Sequence, residues 1–135
     1  METTCDAIVL AGDRRDIHRV FGESKAFLEI EGVPLLAHVL AALDRAPSVR
    51  RAFVVGDPEF LRGVLAAASR RGLRLDVAVV PQGEDLWANF WTAYVHTLSP
   101  ATRDRIASGE RPEDAATPEE RDRRVLALSG DIPLV

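Results

Sequence analysis

The sequence predicts an α/β domain built on a mostly parallel sheet with helices on both faces. Short apolar runs, each closed by glycine or proline, read as strands buried on both faces. Between them lie longer segments whose apolar residues recur three and four positions apart, as in amphipathic helices. The two kinds alternate along the chain, which is the pattern of a parallel sheet with crossover helices. Its 135 residues suit a single domain spanning 1–135.

Asp6–Ala11 (DAIVLA) is the first strand, ended by Gly12. Gly12–Ser24 is polar, has no sustained period and reads as a loop. Ala26–Ile30 reads as a short extended piece, broken by Gly32. Pro34 suits the first turn of a helix, on which Leu35, Leu36, Val39, Leu40 and Leu43 share a face before Pro47. Arg51–Val55 is the second strand, closed by Gly56, and Pro58 opens a helix carrying Leu61, Val64, Leu65 and Ala68. Gly72 ends that helix. Leu73–Val80 is the third strand, stopped by Pro81. Glu84–Leu98 is a helix with Leu86, Phe90, Tyr94 and Leu98 in one stripe and Trp87 and Trp91 beside it. This aromatic cluster reads as core packing, with a binding platform as the alternative. Residues 99–124 hold 13 charged residues and three prolines, so this segment reads as a charged, partly disordered surface insertion. Val125–Leu128 resumes as a buried strand, followed by Ser129-Gly130-Asp131-Ile132-Pro133.

Composition excludes several classes. The formal net charge is −4, without the basic excess of a nucleic-acid binder. A single cysteine, Cys5, leaves neither a disulfide framework nor a cysteine-based zinc site. No apolar run approaches the ~18 residues of a membrane span, and Met1–Asp6 carries no basic leader. The expected compartment is the cytoplasm. Of the 17 basic residues, 16 are Arg and only Lys25 is Lys. A chain that otherwise uses the planar guanidinium places one compact ammonium at that position.

Open α/β sheets bind ligands outside the carboxyl ends of their strands, and two polar clusters fall there. In the first, Gly12 directly follows a buried strand and Arg14, Arg15 and Lys25 follow in one loop. Backbone N–H groups together with cations suit phosphate, although a solvated surface loop fits this segment equally. In the second, Asp131 stands at the end of the last strand, where a carboxylate is a hard oxygen ligand suited to Mg²⁺. An ordinary strand-end Asp starting a turn is the alternative there.

Taken together, LAG, the basic loop, SKAFLEIEGVPLLAHVLAAL and VLALSGDIPL resemble the nucleotidyltransferases of the NTP-transferase superfamily. These include the molybdenum-cofactor guanylyltransferase-like enzymes and the sugar-phosphate and cobinamide-phosphate nucleotidyltransferases. The resemblance covers Ala7–Leu43 and Val125–Leu134; between them it rests on element order. It implies a Rossmann-like three-layer sandwich of the nucleotide-diphospho-sugar transferase type. It implies that Leu10, Ala11 and Gly12 lie against the base and ribose of a nucleoside triphosphate. Arg14 belongs to the same nucleotide-binding loop, Arg15 and Lys25 would hold the phosphates, and Asp131 would bind Mg²⁺. Gln82 and Asn89 sit where family members often contact the nucleoside. The implied reaction moves a nucleotidyl group from the triphosphate to a small phosphorylated or cofactor-like acceptor, with pyrophosphate leaving. The expected partners are those two small molecules, with neither nucleic acid nor membrane.

Two departures from the family pattern keep other readings open. Asp13 stands where the family has a second glycine. A carboxylate about 4 Å from a phosphate costs on the order of 4 kcal/mol at an effective dielectric near 20. Asp13 is therefore expected to point away, to pair with Arg14 or Arg15, or to help hold a metal. The family also continues past D-x-P, so a truncated domain is expected. The alternative is a non-catalytic nucleotide-binding or interaction module. A third option, a nucleotide-sugar-dependent glycosyltransferase, often uses a D-x-D metal motif, and none occurs here.

Overall fold

The structure, a computed structural model, describes residues 4–11, 19–20, 23–24 and 29–129. β1 (Cys5–Leu10) is followed by two short antiparallel ribbons, β2 (Arg19–Val20) with β3 (Glu23–Ser24) and β4 (Glu29–Ile30) with β5 (Val33–Pro34). Then come α1 (Leu35–Arg45), β6 (Val49–Gly56), α2 (Pro58–Arg70), β7 (Asp76–Pro81) and α3 (Leu86–Thr97). The chain continues through α4 (Pro100–Ala107), α5 (Pro112–Ala115), α6 (Pro118–Asp122) and β8 (Val125–Ser129). β7, β6, β1 and β8, in that order, form one sheet in which every neighbouring pair is parallel. The predicted strand–helix alternation is therefore the observed core.

Alternation along the central strands separates two apolar layers. Ala7 and Val9 of β1 and Ala52 and Val54 of β6 pack with Leu36, Leu40, Leu61 and Val64 of α1 and α2. Ile8, Phe53 and Val55 face the other way, onto Ala93 of α3. Leu36, Leu40 and Leu61 are 0% exposed, and each burial contributes about 1.5–3 kcal/mol. Arg50 interrupts the period, because Cys5 pairs with Val49 while Asp6 pairs with Arg51. This one-residue bulge reverses the facing of what precedes it. Val49 accordingly joins the α1–α2 layer although Phe53, four residues on, lies in the other.

Boundaries differ from the sequence expectation where caps decide them. β6 begins at Val49, and β7 starts at Asp76 yet includes Pro81. β7 is an edge strand, where a missing N–H is tolerated. Pro34 ends β5 and caps α1 rather than lying inside its first turn. The turn joining β4 and β5 needs positive φ at both residues, 55° at Glu31 and 77° at Gly32, which only glycine adopts without cost. α2 is capped by Asp57, which accepts from the Glu59 N–H at 2.9 Å, and α3 by Asp85, which accepts from the Ala88 N–H at 2.8 Å.

Two expectations need correction. The aromatic cluster of α3 does not lie in the core as a whole: Trp87 is 79% exposed, Leu86 51% and Trp91 44%. The helix buries Ala93 and Thr97 instead, with Phe90 and Tyr94 half-buried, because small side chains at the contact let the helix approach the sheet. The charged segment 99–124 forms three short helices rather than a partly disordered insertion. Each opens with proline, and Ser99 and Thr117 cap two of them. Their anchor is Glu120, which is 7% exposed. Its carboxylate accepts from the Thr102 hydroxyl at 2.6 Å, the Ser99 N–H at 3.0 Å and the Thr117 N–H at 3.1 Å. No helix among the described residues is long and apolar enough to cross a membrane.

Candidate nucleotide site at the carboxyl ends of the strands

The connections fix where a site can form. From β1 the chain passes through α1 to β6 and through α2 to β7, always outward on one side. It then returns through α3–α6 to β8, on the opposite side of β1. Strand order thus reverses between β1 and β8, and the crevice at their carboxyl ends is the binding position of such sheets. Leu10, the last residue of β1, is in register with Val55 on one side and Ser129 on the other.

Hydrogen bonds tie the neighbouring strand ends into one rim. The Ala11 N–H donates to the Val55 carbonyl at 2.8 Å, and the Gln82 N–H donates to the Gly56 carbonyl at 3.1 Å. One step further, the Gly83 N–H donates to Asn89 Oδ1 at 2.5 Å. Leu10 is half-buried, Ala11 buried, Gln82 exposed and Asn89 half-buried. Four of the sequence-predicted residues, Leu10, Ala11, Gln82 and Asn89, thereby occupy the same end of the sheet. Asn89 has its carbonyl oxygen committed to the Gly83 turn, so what it can offer a ligand is its amide N–H. Gly12, Arg14, Arg15, Lys25 and Asp131 lie outside the described residues. Asp13 lies outside them as well.

Gly56 was missed as a site-forming residue, although a glycine closing an apolar run was the same signal that drew notice to Gly12. A Cβ on Gly56 would stand 3.0 Å from the Ala11 carbonyl oxygen and 3.2 Å from Leu61 Cδ1. Only hydrogen lets β6 end this close to the start of the β1 loop. Among the described residues no three His, Cys, Asp or Glu side chains converge as a metal cluster.

The strong electrostatics sit elsewhere. At the amino end of β1 the Asp6 carboxylate is fully buried. Arg51 reaches it as a fork, Nε to Oδ1 at 3.0 Å and Nη2 to Oδ2 at 2.9 Å. Arg50, the bulged residue, adds longer bonds of 3.3–3.5 Å. The hydrogen bond to Asp6 holds the Arg51 guanidinium above its ordinary pKa, against the opposing effect of burial. Arg51 Nη2 also donates to the Thr97 carbonyl at 2.9 Å, which fastens the carboxyl end of α3 to the sheet. At Glu120, burial pushes the carboxyl up, but the bonds from Thr102, Ser99 and Thr117 outweigh it and hold the pKa at about 2.

The solved structure of 4-diphosphocytidyl-2C-methyl-D-erythritol synthase from Anaerococcus prevotii superposes with a TM-score of 0.61 at 13% identity. It covers 98% of this chain, which spans 45% of that protein's length. At that identity the likeness establishes the fold alone, a mostly parallel sheet flanked by helices. No curated protein sequence matches the chain. Residues 7–135 match the MobA-like NTP transferase domain, and the chain belongs to that family.

Proposed function

We propose that the protein is a cytoplasmic, Mg²⁺-dependent nucleotidyltransferase acting on a nucleoside triphosphate and a small phosphorylated or cofactor-like acceptor. The observation that carries this reading is the strand reversal between β1 and β8, because the family residues of both clusters follow those two strands. Gly12 is the residue after Ala11, and Asp131 follows Ser129 by two.

The residues fit the chemistry. An acceptor oxygen attacks the α-phosphorus, the bond to the bridging oxygen of the β-phosphate breaks, and pyrophosphate leaves. Both reactants are anions, so the protein must align them and neutralise charge. Arg15 and Lys25 supply fixed cations to the phosphates, with Arg14 beside them. Leu10, Ala11 and Gly12 give the base and ribose a close backbone surface, and Gln82 and Asn89 border the nucleoside. Mg²⁺ binds few protein oxygens when phosphates complete its shell, so the Asp131 carboxylate suits it; when bound, the ion offsets charge on the phosphate oxygens. No dedicated general base is required where the acceptor is already an oxyanion.

The test measures triphosphate binding by calorimetry, with and without Mg²⁺, and pyrophosphate release with small phosphate monoesters as acceptors. Lys25→Ala and Asp131→Asn should each reduce release at least about a hundredfold, the scale of losing one electrostatic contact to the reacting group. Release that survives Lys25→Ala unchanged would remove the role assigned to it. Asp13 favours a second reading, a nucleotide-binding module without turnover. Thermal stabilisation by triphosphate with no pyrophosphate released would select that reading.

A further inference from the structure

We propose that Trp87 is the platform on which the base of the bound nucleoside triphosphate stacks; this rests on the nucleotide reading above. Trp87 is 79% exposed, whereas tryptophan is on average highly buried. It lies on the first turn of α3, which follows the carboxyl end of β7. That turn therefore stands at the end of the sheet where Leu10 and Ala11 form the rim.

The direction it faces follows from its neighbours on the helix. Asn89 is turned toward the β7 end, because it holds the Gly83 N–H. Phe90 and Tyr94 pack, with Leu10 of β1 and Val125 of β8, against the cluster of Ile8, Phe53, Val55, Val80 and Ala93. Trp87 precedes Phe90 by three residues and Trp91 by four, so it shares their flank, one turn nearer the helix start. α3 packs across β6, β1 and β7, so an exposed ring on its first turn borders the carboxyl ends of those strands. Trp91 is a built-in comparison. It lies one turn further from the rim, is 44% exposed and has its ring 5.9 Å from that of Tyr94.

An indole face accepts any base, since every base has a π-face, and such stacks tolerate base identity. Trp87 would thus contribute affinity for the nucleoside, while selection among bases falls to polar groups at the rim.

The assignment is tested by calorimetry with ATP, GTP, CTP and UTP in the presence of Mg²⁺, using inorganic tripolyphosphate as the probe that lacks a base. Trp87→Ala should weaken all four nucleotides about tenfold or more and leave tripolyphosphate unaffected, and Trp91→Ala should change neither. The chain has two tryptophans, so Trp91→Phe leaves Trp87 as the sole indole. Its emission should fall on adding nucleotide and not on adding tripolyphosphate. Nucleotide affinity unchanged in Trp87→Ala, a loss shared by tripolyphosphate, or emission indifferent to nucleotide would overturn the stacking and leave nucleotide binding standing. Failure of the unaltered protein to bind any of the four would overturn the nucleotide reading, and the stacking with it.

Discussion

Arg51→Ala should destabilise the fold by about 2–4 kcal/mol, and Arg50→Ala by no more than about 1 kcal/mol, although both arginines bond the same carboxylate. The Asp6 side chain is 0% exposed and those of Arg51 and Arg50 are 32% and 48% exposed. At the 2.9–3.0 Å separations of the Arg51 fork, the attraction is about 5 kcal/mol at an effective dielectric of 20. Truncating one partner of a buried pair typically costs about 3–5 kcal/mol, because the other charge is left uncompensated. Arg50 remains at 3.3–3.5 Å and recovers part of that, which brings the expected loss to the lower range. Removing Arg50 leaves the fork intact and takes away a more exposed, longer-range partner, so the loss is that of a surface pair. The assay is urea unfolding followed by circular dichroism, reading the midpoint at constant slope. The double variant decides the cause. With Asp6→Asn already in place, Arg51→Ala should cost at most about 1 kcal/mol, since no buried charge is then orphaned. Equal losses for the two arginines, or strict additivity of Asp6→Asn with Arg51→Ala, would refute the reasoning.

Glu120→Gln should loosen α4 and α6 in a pH-dependent way. The carboxyl falls from the usual 4.5 to about 2, so its contribution is complete above about pH 4.5 and is lost as pH falls toward 2. That shift corresponds to roughly 3 kcal/mol, reduced to about 1–2 kcal/mol by solvent screening at this near-surface cluster. The stability gap between the two proteins should narrow between about pH 5 and pH 2; a gap of constant size in urea titrations across that range would contradict the assignment. Gly56→Val should cost about 1–3 kcal/mol, because the new Cβ meets the Ala11 backbone oxygen at 3.0 Å. It should also weaken triphosphate binding by displacing the rim. Gly83→Ala, where the nearest atoms are the Ala88 Cβ at 3.3 Å and Asn89 Oδ1 at 3.5 Å, should be milder on both counts. Calorimetric affinities that move in the opposite order would count against the rim as drawn.

The parallel sheet was legible because its strands are buried on both faces and read as unbroken apolar runs, DAIVLA and RAFVV among them. Helix faces were legible for the same reason: Leu36, Val39, Leu40 and Leu43 are the buried side of α1. The helices of 99–124 were missed because hydrophobic period was the criterion. These helices are held by caps and by Glu120, whose partners Ser99, Thr102 and Thr117 are polar. Sequence did carry that signal in Thr117-Pro118-Glu119-Glu120, a capping box. The exposure of Trp87 and Trp91 was missed because an aromatic stripe specifies apolarity without saying which flank meets the sheet. Of the candidate site, Leu10 and Ala11 were legible from a glycine after a buried strand. The joining of Gln82 and Asn89 to them was not, since it depends on backbone bonds between strands remote in sequence.

The sheet divides its tasks between its two ends. The amino end of β1 is closed by a buried ion pair that links β1, β6 and, through the Thr97 carbonyl, α3. The return path to β8 is held separately, by the Glu120 cluster. Neither network includes Leu10, Ala11, Gln82 or Asn89. Parallel strands with crossover helices thus leave their carboxyl ends clear of both networks, where a ligand can bind without competing for the groups that hold the fold.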